Sequence, residues 1–316
     1  MAKKEIADLT GVGEKTAEKL KEAGYIDMMA IAAASPAELA EAAALGEATA
    51  AKIIECAREE LEIGFETAAK VLEKRQSIIR ITTGCKSLDT LLGGGIETCS
   101  TTEFHGAFGS GKSQVAHQLS VTVQLPVESG GANGACLYID TEGTFRPERI
   151  LQMAKALSLD GDEVLNNIHV GRVYNSDHQC VMIEKAGEII REKNIKLVIV
   201  DSVTACFRSD FSGRGELAAR QQKLNRHLHT LQRLADVFGV AVYITNQVMA
   251  RPDLMFGDPT TAIGGHIMGH FAAVRAYLRK SKGELRVARI VDSPSLPEGE
   301  AVFRVCEAGV RDTEED

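Results

Sequence analysis

The sequence lacks any apolar run long enough to cross a membrane. A spanning helix needs about 20 consecutive apolar residues, and no stretch approaches that length. The first residues, MAKKEIADLTGVGEK, also lack the apolar segment of a secretory signal. We therefore expect an intracellular, cytoplasmic protein with no membrane partner.

Cysteine pairs at metal-binding or redox spacing are missing as well. The seven cysteines are scattered and include no C-x-x-C pair, a pattern typical of free thiols in a reducing compartment. The histidine pairs His227/His229 and His266/His270 have no third ligand at a recognisable spacing. We expect no zinc-type site from them.

An excess of positive charge is absent too, because the formal net charge is -8. A chain of this charge does not coat nucleic acid by bulk attraction. The charge is segregated, however: residues 1–60 hold seven basic and twelve acidic residues, whereas residues 207–233 hold six basic and two acidic ones. Any polyanion would therefore be bound locally, and the second segment is the candidate.

Changes in composition divide the 316 residues into three parts. Residues 1–60 have apolar residues at helical spacing, which predicts a small all-helical domain. Residues 61–77 form a linker. Residues 78–316 alternate β-rich runs (ACLYID, KLVIVD, VAVYITNQ) with helical segments and end in closely spaced β-rich runs. This pattern predicts an α/β core with a buried, mainly parallel central sheet and an added meander.

Two glycines in the stretch LTGVGEKTAEKL, Gly11 and Gly13, precede a predicted helix of the first domain. A turn at this point leaves backbone N–H groups free at a helix N-terminus and can bind a phosphate. A helix-to-helix turn that needs glycine only for its geometry would have the same sequence, so both interpretations stand. A weaker copy, LGEATAAKII, begins at Leu45.

Residues 106–113, GAFGSGKS, match every fixed position of the phosphate-binding motif G-x-x-x-x-G-K-[ST]. The motif lies between a β-like run and a helical one, as it requires. Its backbone N–H groups can surround phosphates, Lys112 can reach the β- and γ-phosphates, and the Ser113 hydroxyl is placed for Mg²⁺. We predict a nucleotide site that includes Gly106, Phe108, Gly109, Ser110, Gly111, Lys112, Ser113 and Gln114.

Acidic residues end two of the predicted strands. KLVIVD delivers Asp201, and LYIDTEG delivers Asp140 and Glu142. Because ligands of open α/β sheets bind at the carboxyl ends of the strands, we expect Asp201 to support Mg²⁺ and Glu142 to orient and deprotonate the attacking water. One acidic residue at a strand end could be a solvated cap, but three such residues at one phosphate loop favour a catalytic site.

Two amides, Asn246 and Gln247, end a further strand in ITNQV. An amide near a γ-phosphate can bond to it and report its presence, although a structural amide would have the same sequence. We expect Gln247 to act in catalysis with Lys112 and Glu142. The Gly/Pro-rich stretch that follows, MARPDLMFGDPTTAIGG, is typical of a segment that a ligand orders.

Several strings along the chain are more specific than the phosphate loop alone: GVGEKTAEKL, GFETA, TGCKSLDTLLGGGIE, GAFGSGKSQ, DTEGTFRPERI, ITNQV, AIGGHIMGH and DSPSLPEGEAVF. In these strings the chain resembles the archaeal RadA recombinases of the RecA family over essentially its whole length. The resemblance implies a RecA-type P-loop ATPase core preceded by a helix-hairpin-helix domain of the DNA-binding type.

The same resemblance implies an activity and partners. Such a protein uses ATP and Mg²⁺, assembles into a helical filament on single-stranded DNA, and exchanges strands with homologous double-stranded DNA in recombination and double-strand break repair. Rings of the same chain, recombination mediators and association with the nucleoid are further expectations. A heterologous interface that does not close produces such a helix.

Site residues follow from the resemblance, position by position. Phe65 and Ala68 match a polymerisation motif that docks on the adjacent core, where the linker can add a strand to the neighbour's sheet. Packing of Phe65 within its own chain is the alternative.

Arg208, Arg214 and Arg220 are expected in or beside a first DNA loop. Arg251, Gly264 and Gly265 are expected in a second DNA loop over residues 249–265. A solvated basic face is the competing account of the arginines.

Four more residues match nucleotide contacts of the family. Arg149 is expected to stack on adenine, and His270 to sense the γ-phosphate. Asp292 and Pro297 are expected in a cap that reaches the nucleotide of the neighbouring subunit. These residues would place ATP between protomers.

The sequence departs from the family pattern at three positions. Ala107 stands where glutamate is common, and Ser113 stands for the usual threonine; both positions are permissive. Cys99 stands where glycine is usual, which suggests a backbone angle that cysteine tolerates poorly. Two other functions share the phosphate loop: a ring-forming motor of the same fold, and an accessory ATPase that assists a recombinase without exchanging strands.

Overall fold

The computed structural model describes residues 6–25, 28–61, 64–211, 213–250 and 260–313. Its contacts divide the chain into two units, Met1–Ser77 with Glu184–Glu188, and Ile78–Ile183 with Ile189–Asp316. In the described ranges, no helix combines the length and the apolar character that crossing a membrane requires.

The first unit is built of helices. A 3-10 helix, Ile6–Asp8, is followed by α1 (Glu14–Glu22), α2 (Met28–Ala32), α3 (Pro36–Ala43), α4 (Glu47–Glu60) and α5 (Ala68–Gln76). Its core consists of apolar residues from the helices α1 to α4, among them Leu20, Ile31, Leu39 and Ile53. The prediction of a small all-helical domain is confirmed.

The glycine turn before α1 separates the roles of its two glycines. Gly11 has φ of 91°, a conformation that disfavours side chains, whereas Gly13 has an extended backbone with φ of -86°. A Cβ on Gly13 would meet no atom within 4 Å. The backbone geometry therefore requires glycine at position 11. Neither backbone geometry nor packing requires glycine at position 13.

The second unit alternates strands with helices. Its strands are β1 (Arg80–Ile81), β2 (Ile96–Glu97), β3 (Ser100–Gly106), β4 (Ala135–Asp140), β5 (Ile168–Arg172), β6 (Ile195–Asp201), β7 (Ala241–Asn246), β8 (Val248–Ala250), β9 (Thr260–Ala262), β10 (Val274–Lys280), β11 (Leu285–Asp292), β12 (Glu300–Cys306) and β13 (Gly309–Arg311). Its helices are α6 (Lys86–Leu91), α7 (Lys112–Thr122), α8 (Pro147–Ala156), α9 (Gly161–Asn166), α10 (Ser176–Glu184), α11 (Ala186–Glu192), α12 (Ala205–Asp210), α13 (Leu217–Phe238) and α14 (Gly265–Gly269).

In the described part of this unit, the central sheet has nine strands in the order β13-β12-β11-β10-β3-β7-β6-β4-β5. The strands from β10 to β5 in this order are parallel, and β11, β12 and β13 add an antiparallel meander. The predicted fold class is confirmed.

The parallel strands β4, β6 and β7 are buried on both faces. On β6, Leu197 and Ile199 join the cluster that contains Leu119 of α7, and the alternate residues Val198 and Val200 are equally inaccessible. Burial on both faces is the reason that the sequence of such a strand is continuously apolar. It also leaves the carboxyl ends of β3, β4, β6 and β7 as the places where polar side chains of these strands can meet.

Candidate functional site

The phosphate loop joins the carboxyl end of β3 to the start of α7. Gly109 and Gly111 have φ of 74° and 105°, and a Cβ on Gly106 would lie 2.2 Å from the Leu278 carbonyl oxygen. These three glycines are therefore fixed by geometry. The Phe108 side chain between them is fully exposed. A turn of this kind at a helix N-terminus presents N–H groups to an anion.

Lys112 points back into this loop. Its Nζ donates to the carbonyl oxygens of Gly106 at 2.9 Å and Ala107 at 3.0 Å. Burial lowers the pKa of the Lys112 ammonium, and the nearby carboxylates of Asp201 and Glu142 oppose that shift. The cation is thus held at the centre of the loop, where its charge can meet phosphate oxygens.

Asp201, at the carboxyl end of β6, is buried and oriented by two hydroxyl groups. Tyr138 donates to its Oδ2 at 2.8 Å, and Thr245 donates to its Oδ1 at 2.5 Å. Burial and the neighbouring Asp201 carboxylate raise the pKa of Tyr138 well above its usual value, so the phenol stays a donor. Each carboxylate oxygen keeps a lone pair for a further partner, which fits a carboxylate that assists Mg²⁺ at the phosphate loop.

Asp140, at the carboxyl end of β4, has a different task from the one its position suggests. Its Oδ1 accepts the backbone N–H groups of Glu142, Gly143 and Thr144 at 2.7–3.2 Å, and its Oδ2 accepts that of Phe145 at 3.3 Å. Four N–H groups on one carboxylate fix the shape of the loop after β4. Asp140 thereby fixes the backbone that carries Glu142.

Glu142 is the first member of a polar chain along the carboxyl edge. Gln247 Nε2 donates to Glu142 Oε1 at 2.8 Å, and Arg208 NH1 donates to Gln247 Oε1 at 3.2 Å. The structure thus brings together the predicted water-activating carboxylate, the predicted sensor amide and a predicted DNA-binding arginine. This contact could not be predicted from the sequence, because the three residues come from three different segments.

The two amides of ITNQV separate. Asn246 is fully buried and donates to Glu103 Oε1 at 2.8 Å and to the Ile263 carbonyl oxygen at 2.7 Å. Gln247 lies at the surface beside Glu142. The structural alternative for an amide at a strand end therefore applies to Asn246, and Gln247 remains the candidate sensor.

Arg149 is held in one orientation. Its Nε donates to Gln114 Oε1 at 2.8 Å, and its terminal nitrogens donate to Gln152 at 2.7 Å and to the carbonyl oxygens of Glu307, at 2.5 Å, and Cys306. A guanidinium plane fixed at four points is suited to stacking on a planar base. Gln114 and Arg149, both predicted nucleotide contacts, therefore meet.

His117 was not singled out from the sequence. Its Nδ1 lies 2.6 Å from the Ser113 carbonyl oxygen, and its Nε2 accepts the Arg146 N–H at 3.2 Å. Because Nε2 accepts, Nδ1 carries the proton of a neutral ring. Burial lowers the pKa of this imidazole and keeps it neutral. His117 fastens the first turn of α7 to the start of α8; a buried histidine within a helix gives no sequence signal of such a role.

The predicted cap lies away from the phosphate loop of its own chain. Asp292 pairs with Arg275, which pairs with Glu103, whereas the loop begins at Gly106, three residues further along β3. At about 3.3 Å per strand residue, this is a separation of about 10 Å along the strand. Asp292 and Pro297 are exposed. The structure therefore does not bring them to their own nucleotide site.

The remaining predicted residues are dispersed. His270 follows α14 and is exposed, and Arg220 on α13 is half-buried. Gly264 and Gly265, with φ of 105° and 63°, open α14. Arg214 begins the 3-10 helix Arg214–Glu216, and Arg251 lies outside the described residues.

The linker residues are exposed. Phe65 has a relative accessibility of 112%, and α5, which begins at Ala68, buries none of its residues. Thr67 caps this helix by accepting the Lys70 N–H at 3.3 Å. Phe65 is thus an exposed side chain in this structure, and its docking on the core of a neighbouring subunit stays a prediction.

Comparison with known proteins identifies the chain. The Rad51 family model matches residues 74–313, and the model of a SAM-like helix-hairpin-helix tandem matches residues 3–59. The chain belongs to the Rad51 family. It is 57% identical over 311 residues to the DNA repair and recombination protein RadA of Aeropyrum pernix, a match that spans 98% of each chain.

The predicted resemblance is thereby confirmed. Rad51 proteins are recombinases and DNA-dependent ATPases, and this chain is a homologue of a recombination and repair protein. The phosphate loop described above lies within the part that matches the Rad51 model.

Proposed function

We propose that this chain pairs homologous DNA and exchanges its strands as a helical filament on single-stranded DNA, and that ATP hydrolysis at the phosphate loop controls the life of that filament. The observation that carries this proposal is the pair of hydrogen bonds that joins Glu142 to Gln247 and Gln247 to Arg208. These bonds connect the candidate catalytic carboxylate with a candidate DNA contact. When Arg208 changes its contacts, the position of Glu142 can change too, because both side chains are hydrogen-bonded to Gln247.

In hydrolysis, Glu142 orients and deprotonates the attacking water, and Lys112 neutralises charge on the transferred phosphoryl group. Gln247 responds to the γ-phosphate, and its hydrogen bond to Glu142 connects that response with the catalytic carboxylate. Arg149, held by Gln114 and by two carbonyl oxygens, supplies the plane on which adenine stacks.

Mg²⁺ fits the donors at this site. In the described residues no group of three or more acidic, histidine or cysteine side chains could hold a metal on its own. Mg²⁺ commonly takes one or two protein oxygens and leaves its other positions to phosphates and water. The Ser113 hydroxyl and the oriented Asp201 carboxylate would hold it, and it would supply neutralisation of phosphate charge.

The filament uses parts that one chain leaves open. Phe65 and Ala68 lie on the exposed linker, and β5 is an edge strand of the central sheet. An extended linker can add to a sheet edge through main-chain hydrogen bonds while its side chains fill pockets. Asp292 and Pro297, displaced from their own phosphate loop, cap the nucleotide of the next subunit in the same assembly, and His270 senses its γ-phosphate.

DNA binds along the same edge as the polar chain. Arg208, Arg214 and Arg220 contact the phosphate backbone in and beside the first loop, and Arg251, Gly264 and Gly265 of the second loop contact it as well. Backbone contacts suffice because base pairing between strands reads the sequence. ATP then acts as an assembly clamp and timer, since its binding joins subunits and its hydrolysis loosens them.

The test is strand exchange between a circular single strand and a labelled linear duplex, with ATP and Mg²⁺. Homologous and heterologous pairs are compared, as are the wild type and Lys112→Ala. Product that requires both homology and Lys112 is the expected result. ATP hydrolysis without exchange would overturn the proposal and favour the accessory ATPase or the ring-forming motor.

A further inference from the structure

A buried polar cluster lies behind the nucleotide site and is not used by the mechanism above. Glu103 on β3 is fully buried; its Oε2 accepts Arg275 Nε at 2.5 Å, and its Oε1 accepts Asn246 Nδ2 at 2.8 Å. Asn246 Oδ1 in turn accepts the hydroxyl of Thr204 at 2.8 Å. We refer to Glu103, Arg275, Asn246 and Thr204 as the Glu103 cluster.

Two of the three hydrogen-bond partners of Asn246, Thr204 and Ile263, stand at the bases of the proposed DNA loops. Thr204 immediately precedes α12, the helix that carries Arg208 and leads into the first loop. The Ile263 carbonyl oxygen, which accepts Asn246 Nδ2 at 2.7 Å, immediately precedes Gly264 at the end of the second loop. One side chain thus bonds the start of the first loop to the end of the second.

Two further contacts join the same two loops. Gln221 of α13, which follows the first loop, donates to the Gly264 carbonyl oxygen at 3.2 Å, and Arg208 donates to Gln247 where the second loop starts. The backbone N–H of Ile263 also donates to the Gln247 carbonyl oxygen at 3.0 Å. The bases of the loops are therefore joined at several points, and the link from Thr204 through Asn246 to Ile263 is buried.

Burying a glutamate is costly unless it is paired and hydrogen-bonded. Leucine or valine would fill the interior of β3 at no such cost, yet the chain places Glu103 there with Arg275 and Asn246 as partners. A carboxylate between two donors of fixed direction holds both of them in one geometry. This is a reason for the cluster to exist beyond packing.

We propose that the Glu103 cluster sets the spacing of the two DNA loops, with Glu103 as the positioning residue that orients Asn246. The inference rests on the proposed function, because it takes both loops to be DNA contacts. In the described contacts, no hydrogen bond joins these four side chains to a residue predicted to bind ATP or Mg²⁺. Substitution of the cluster is therefore expected to weaken DNA binding and to leave basal ATP hydrolysis unchanged.

The experiment compares Thr204→Val and Glu103→Gln with the matched control Thr101→Val. Thr101 is a buried threonine at the amino end of β3 whose hydroxyl donates to Gln232 at 3.1 Å. The full-length protein is titrated against a fluorescent single strand with Mg²⁺ and a slowly hydrolysed ATP analogue. ATP turnover is measured without DNA and over a range of DNA concentrations, and thermal melting reports folding.

Thr204→Val is expected to raise the half-saturating protein concentration and the half-stimulating DNA concentration about tenfold, within the usual range of coupling between sites. Turnover without DNA should stay within about twofold, since the phosphate loop is untouched. Thr204→Ser keeps the hydroxyl and should restore DNA binding. Thr101→Val should lower the melting temperature as much as Thr204→Val without changing DNA binding.

Glu103→Gln strands the Arg275 guanidinium and can prevent folding, which is the reason that the milder Thr204→Val carries the test. DNA binding by Thr204→Val equal to that of Thr101→Val would overturn the inference alone. Failure of the wild type to bind the single strand would overturn the proposed function and this inference with it.

Discussion

The nucleotide site and the linker differ in how far a single chain completes them. At the nucleotide site, Asp201 and Asp140 are buried and accept hydrogen bonds from their own chain. On the linker, Phe65 is wholly exposed and α5 buries no residue. Exposed large apolar side chains of this kind are suited to an interaction surface. One region is therefore preorganised within its own chain, and the other is left exposed for the proposed contact with a second copy.

The largest expected effect lies in the preorganised region. The side chain in Glu142→Gln can still accept the hydrogen bond from Gln247, but it cannot act as the proposed general base. ATP turnover should therefore fall by about 10²- to 10⁴-fold. Binding of ATP and DNA should remain, and filaments should dissociate slowly. Steady-state hydrolysis on saturating single-stranded DNA and filament lifetime are the measurements.

Glu148→Gln is the matched control, because Glu148 is an exposed glutamate in the first turn of the neighbouring α8. It should turn over ATP at the wild-type rate. Normal ATP turnover in Glu142→Gln would show that Glu142 is not the general base.

The open region should show the opposite pattern. Phe65→Ala removes an aromatic anchor, and truncation of such an anchor weakens an interface by about 2–4 kcal/mol, or roughly 30- to 1,000-fold. The melting temperature should stay unchanged, because the Phe65 side chain is fully exposed and its removal uncovers no buried apolar surface. Electron microscopy on single-stranded DNA and light scattering measure assembly.

Leu72→Ala on α5 serves as a control of similar chemistry, since Leu72 is also exposed but stands outside the GFETA motif. It should affect assembly less than Phe65→Ala. If Phe65→Ala instead lowers the melting temperature and leaves filaments intact, Phe65 packs within its own chain.

The sequence specified the parts of the fold that local geometry dictates. The glycines of the phosphate loop could be predicted because each of them serves a backbone angle or a close approach, and the strands β4, β6 and β7 because their sequences are mainly apolar. Strand β5, with the sequence IHVGR, was not predicted, since its polar residues and glycine resemble a loop. It forms because β4 offers it a paired edge.

Within the site, what could not be predicted is where each side chain turns. Asn246 is the last residue of β7 and its side chain enters the interior, whereas Gln247 follows the strand and its side chain faces Glu142. Which of them enters the interior depends on Glu103, which is remote in sequence. Likewise, Asp140 meets four N–H groups of the loop that follows it, an arrangement that only the folded loop creates.

A smaller effect, on stability alone, is expected at Asp312. Its carboxylate accepts the N–H groups of Lys86 at 2.8 Å and Ser87 at 2.9 Å and so caps α6 from the far end of the chain. Partial burial opposes the shift, but these N–H groups lower the pKa of Asp312 from 3.8 to about 2. Asp312→Ala should cost about 1 kcal/mol, as loss of a helix cap does, with no change in ATP turnover.

The effect should depend on pH in a defined direction. A carboxyl group with a depressed pKa stabilises the folded state fully above its unfolded pKa and loses that contribution as the pH falls through the folded pKa. The difference between the wild type and Asp312→Ala should thus be constant from pH 7 to about 5 and shrink from pH 4 towards pH 2. Melting temperatures at these pH values measure it, with Glu284→Ala, an exposed carboxylate, as the control. A difference that grows on acidification would contradict the capping role.

The smallest expected effect concerns Cys99, which lies before β3, at the end of the sheet opposite the phosphate loop. Its φ of 56° lies in the left-handed region, as the usual glycine at this position suggested, and a residue with a Cβ pays about 1 kcal/mol there. Cys99→Gly relieves that strain but gives the unfolded chain more freedom, worth about 0.4–1 kcal/mol. The net gain should be a few tenths of a kcal/mol, or about 1 °C in melting temperature. Cys99→Ala keeps the strain and removes the thiol, so it should not melt higher than the wild type. An equal rise in both variants would assign the effect to the thiol and not to the backbone.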